Sequence, residues 1–77
     1  MLYTLVRHNK IHATGAESST SERDDNYDKL LSKFYGYLKA NVDDKSVERF
    51  DITILNSLLI PIKTDHFERT YEEEGAE

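Results

Sequence analysis

Residues 26 to 42, NYDKLLSKFYGYLKANV, admit one regular structure. At about 100° per residue, Tyr27, Leu30, Leu31, Phe34, Tyr35, Tyr37, Leu38 and Val42 fall within one arc of about 160°. Asp28, Lys29, Ser32, Lys33, Gly36, Lys39 and Ala40 fill the other side. This pattern predicts an amphipathic helix whose apolar stripe needs a second layer to cover it. Asp24 or Asp25 can cap its first turn, with a weaker and earlier cap from Ser21. Asn41 can close it in a left-handed conformation. The cluster of Asp24, Asp25 and Asp28 lacks the glycine and distal glutamate of a calcium loop, and capping accounts for it better.

The second layer is read from the flanking segments. LYTLVRH, residues 2 to 8, is β-branched and aromatic on alternating positions, which favours a strand. Residues 47 to 55 alternate Phe50, Ile52 and Ile54 against Asp51, Thr53 and Leu55. Asn56 and Ser57 offer a break. LLIPI resumes the apolar run, and Pro61 demands an edge strand or a bulge there. Residues 63 to 71 alternate again and are read as strand. GAESSTSERDD, residues 15 to 25, has no large apolar side chain and reads as a loop. A further strand through residues 10 to 14 is an option. The fold class expected is α+β, a small antiparallel sheet of three or four strands with one helix on one face, in the order β(β)αββ. Residues 1–71 form one domain, and residues 72–77 an acidic, disordered tail.

Seventy-seven residues bury only about 60% of the surface of the unfolded chain. The chain has no cysteine, so disulfides and thiolate zinc sites are excluded. Small chains without such staples gain burial by oligomerising, most often as two-fold dimers. Four of the fifteen acids lie in the last six residues, and the rest of the chain carries ten bases against eleven acids. This near-neutral body with an acidic end disfavours binding to phosphate backbones. No run reaches the roughly 18 apolar residues of a membrane span, and a cytoplasmic protein is the expectation.

The candidate sites are three. RHNKIHATG, residues 7 to 15, places His8, Lys10 and His12 on one face if the strand is unbroken, where they could meet a phosphate as in acid–base cleavage of RNA. If Asn9 and Lys10 form a hairpin turn, His8 and His12 diverge. His66, Asp65 and Glu68 could join them only if the last strand lies beside the first. The second candidate is Ser32, Gly36 and Ala40, a strip of small residues on the outer helix surface, bordered by Lys29, Lys33 and Lys39. The third is Leu58, Ile60 and Ile62, an apolar strand edge larger than a short chain covers alone. No metal or cofactor is implied. The expected function is a non-enzymatic interaction module: a homodimer that binds another protein. The alternative is a small nuclease or nucleic-acid binder using Arg7, His8, Lys10 and His12.

Overall fold

The computed structural model describes residues 1–71 of the chain; the expected acidic tail at 72–77 lies outside the described residues. The elements run β1 (Tyr3–Ile11), β2 (Glu17–Asp24), α1 (Tyr27–Asp43), β3 (Val47–Leu55) and β4 (Pro61–Glu68). All pairings are antiparallel, and the sheet order is β2-β1-β3-β4. The fold is α+β, with one helix packed on a four-stranded sheet. The β2–α1–β3 connection therefore joins two strands that point the same way, with β1 between them.

The helix covers the face that carries Leu5, Phe50, Ile52 and Ile54. It adds Leu30 and Phe34, both without solvent exposure, and Val47 completes the core. Leu31, Tyr37, Leu38 and Tyr27 pack around these side chains. Tyr35 and Val42, assigned to the apolar stripe from periodicity, are exposed instead. The stripe is wider than the ridge of sheet beneath it. The first turn is capped by Asn26, whose side chain accepts from the Lys29 amide, rather than by Asp24 or Asp25. Asp24 supports the cap by accepting from the Asn26 amide. The helix ends at Asp44 in extended backbone, and Asn41 stays helical with its side-chain Nδ2 donating to Tyr37 O.

The reading of residues 15 to 25 as a loop is overturned. Glu17–Asp24 is a strand with unbroken register against β1. Most of its side chains are exposed, on both faces of the sheet. Apolar alternation reports burial, and a strand with two wet faces has none to report. The hairpin at Asn9 and Lys10 does not form, and the strand proposed through residues 10 to 14 gives way to a turn. β1 runs through to Ile11, and Gly15, with φ of 72°, closes the turn by donating to Ile11 O. Only a residue at ease with positive φ fits there.

Candidate functional site

Two bulges shape the surface that the helix leaves open. Between Lys10 and Ile11 the β1–β3 register shifts, leaving Glu48 as the extra residue. Glu48 then meets Lys10 and His12 on the open side, while Val47 and Phe50 both turn into the core. Between Ile54 and Leu55 the β3–β4 register shifts, with Ile62 as the extra residue beside Pro61. Pro61 thus begins an edge strand at a bulge, the place where a missing amide hydrogen costs least.

The turn before Pro61 is built by Asn56. Its amide donates to Ile60 O at 3.0 Å, and its carbonyl accepts from the Leu59 amide at 2.9 Å. Its side-chain oxygen accepts from the Leu58 amide at 2.9 Å and the Ile60 amide at 3.0 Å. Leu59 is held at φ of 62°. For a leucine this costs about 1–2 kcal/mol. The result is a braced tip from which Leu58, Leu59 and Ile60 project with 76%, 67% and 52% exposure. Ile62, Leu2 and Met1 are also exposed at this end of the sheet. An open cleft of about 210 Å³ lies beside the tip, lined by Leu2, Thr4, Arg23, Asn56, Ser57 and Leu59. Leu58 and Ile60 therefore sit on a turn and not on the strand edge expected of them; Ile62 is on β4. The sequence reading takes Asn56 only as a break and Leu2 only as strand, and neither they nor Leu59 are among its site residues. The signal available was an asparagine and a proline bracketing a run of aliphatics.

The other end of the open face is polar. His8 lies with Nδ1 2.6 Å from Ser19 Oγ and Nε2 2.8 Å from Glu17 Oε1. Arg49 Nη2 is 3.7 Å from the same Glu17 oxygen. Lys10 Nζ and His12 Nδ1 lie 3.4 Å and 3.0 Å from Glu48. His12 stands in the turn beyond β1, stacked on Tyr71 at 3.7 Å. The hydrogen bond with His8 holds the Glu17 carboxyl below its ordinary range, and that with His12 does the same for Glu48. His8, Lys10 and His12 are thus shared between two carboxylates instead of converging on one point. Asp51 on β3 stands opposite both His8 and His66, and β3 separates β4 from β1, so the last strand does not lie beside the first. Ser19, His8 and Glu17 do form a hydrogen-bonded chain in the order used by hydrolases. It lies on an open strand surface, where the water-excluded, preorganised field that makes such a chain reactive is missing. Among the described residues no group of three or more metal-ligating side chains is placed to hold an ion.

Ser32, Gly36 and Ala40 lie exposed along the outer helix surface, and a side chain at Gly36 would meet open space. The bordering lysines are engaged: Lys29 with Asp24, Lys33 with Glu22, Lys39 with Asp43. Lys33 and Tyr37 both donate to Glu22 at 2.7 Å, tying the helix to β2. No family model, curated protein or solved structure matches the chain. Among the described residues, no helix is long and apolar enough to cross a membrane.

Proposed function

We propose that the chain is a non-enzymatic interaction module of the cytoplasm that acts as a homodimer and offers the apolar end of its sheet to another protein. The observation that carries this reading is Leu59, kept in a costly backbone conformation by the Asn56 brace while three aliphatic side chains stay in water. Strain retained at a surface is a mark of function. Six of the eight exposed large hydrophobic side chains (Met1, Leu2, Leu58, Leu59, Ile60 and Ile62) share this end, so the exposure is a patch and not a scatter. A braced loop also spends little entropy on docking. The helix strip of Ser32, Gly36 and Ala40 remains a second candidate surface.

The nuclease alternative loses ground because His8, Lys10 and His12 are engaged by Glu17 and Glu48, and Arg7 lies on the helix-covered face against the Tyr37 ring. A photo-reactive residue at position 58, introduced in the source cells, is expected to form an adduct with one defined protein. A probe at position 36 reports the helix strip in the same way. The reading fails if neither position gives a protein adduct, or if the chain cleaves RNA and loses that activity on His8→Ala with His12→Ala.

A further inference from the structure

The two edges of the sheet are unlike. β4 begins with Pro61, carries a bulge at Ile62 and includes Lys63, the usual devices that keep a strand from pairing further. β2 has no proline, no lysine and no bulge over eight residues, and the helix leaves it uncovered. Its backbone phase follows from the hairpin. Ile11 donates to Ala16 O, so the bonded pairs of β1 and β2 alternate from there through Asn9–Ser18, Arg7–Thr20 and Leu5–Glu22. The amide and carbonyl groups of Glu17, Ser19, Ser21 and Arg23 then point out of the free edge.

Resting on the homodimer reading above, we infer that a second copy of this chain docks antiparallel along β2, with Thr20 opposite Thr20 on the two-fold axis, making one eight-stranded sheet. A two-fold axis across an antiparallel ladder must set some residue opposite its own mate, and charge selects Thr20. In that register Glu17 stands opposite Arg23 of the second copy, twice, and Ser19 stands opposite Ser21. Both charged residues lie on the open face, because Ser19 and Glu17 pair with His8 and Lys10 there. Opposite charges directly across a ladder are favourable. Arg23 has no ion-pair partner among the described residues, and Glu17 makes its His8 and Arg49 contacts through Oε1, leaving Oε2 for the second copy. Moving the axis to Ser21 would set Glu17 opposite Asp25 and lose both pairs. The docked edge gains about eight backbone hydrogen bonds.

Sedimentation over a range of concentrations tests this. The full chain is expected at twice its 9.0 kDa mass. Ser21→Pro removes an edge amide without touching the β1 pairing, so it is expected to keep its circular dichroism and to raise the dimer dissociation constant at least about tenfold, equivalent to about 1.4 kcal/mol. Arg23→Glu is expected to be monomeric, as is Glu17→Lys, because each alone sets like charges across both sites. Mixing the two variants is expected to restore a dimer, because the mixed pair sets opposite charges across both. The inference is overturned if Ser21→Pro still dimerises as the parent does, or if the mixture stays monomeric. It is overturned too if Leu58→Ser with Ile60→Ser abolishes the dimer while Ser21→Pro does not, which would assign the contact to the tip. A parent chain that is monomeric at millimolar concentration removes the edge contact, and the protein adduct at position 58 then judges the binding reading by itself.

Discussion

Tyr37 donates its phenolic hydrogen to Glu22 at 2.7 Å, which fastens the middle of the helix to an edge strand that it does not otherwise cover. Arg7 lies 3.8 Å from the centroid of the same ring. The helix is therefore anchored by apolar packing over β3 and by a polar clasp over β2. Tyr37→Phe keeps the ring and removes the hydrogen bond. It is expected to lower stability by about 1 kcal/mol in urea denaturation, with no loss of helix in the folded baseline.

The same clasp makes acid the natural denaturant. The Lys33 ammonium, with the Tyr37 hydroxyl, holds the Glu22 carboxyl below its ordinary 4.5. Glu17, Glu48, Asp24 and Asp44 are lowered as well, by His8, by His12, by the Asn26 amide and by Ser46 respectively. Each group binds its proton more tightly when unfolded. The stability they contribute is therefore whole above about pH 4.5 and is lost as pH falls through the lower folded values. Urea midpoints measured from pH 7 down to pH 3 are expected to hold level and then drop, and Glu22→Gln is expected to flatten part of that drop.

Phe34 has no solvent exposure and is one of the two largest side chains fully buried in the core of the described residues. Phe34→Ala is expected to cost about 3–5 kcal/mol. A chain of this length has a margin near the low end of the usual 5–15 kcal/mol, so the variant is expected to show a largely unfolded circular dichroism spectrum at 25 °C.

Leu59→Gly releases the left-handed strain at the tip. Glycine adopts that conformation freely but adds entropy to the unfolded chain, and the balance is a gain of about 0.5–1 kcal/mol. Thermal melting should rise while capture of the partner by the tip falls. Asn56→Ala is the converse. It removes the side-chain oxygen that accepts from the Leu58 and Ile60 amides and is expected to melt earlier.

Arg69 spans the junction after the helix, donating to the carbonyls of Val42, Asp44 and Val47 while its own amide donates to Glu48 O. Arg69→Ala is expected to destabilise by about 1–3 kcal/mol. Arg69→Lys should fail to rescue it, since a single ammonium cannot reach three carbonyls in a planar fork. Hydrogen exchange at residues 44 to 48 is the direct readout.

The helix and β3 were legible because each puts large apolar side chains on one face only, and Phe34, Ile52 and Ile54 report that face through their spacing. The edge role of Pro61 was legible from its missing amide hydrogen. β2 was not, because Ser18, Ser19, Thr20 and Ser21 are held by backbone pairing with β1 and bury nothing that would leave a pattern. Leu58 and Ile60 were read as strand because an aliphatic run looks the same whether it is covered or displayed. What separates the cases is the Asn56 side chain bonding two amides ahead of itself. His8, Lys10 and His12 share a stretch of chain, but the carboxylates that claim them come from β2 and from the β3 bulge.

The proline and the extra isoleucine at the start of β4 also limit how far association can proceed. A sheet with two receptive borders would keep recruiting copies into a fibre. With one border spoiled, docking along β2 would consume the remaining one, and growth would stop at a pair.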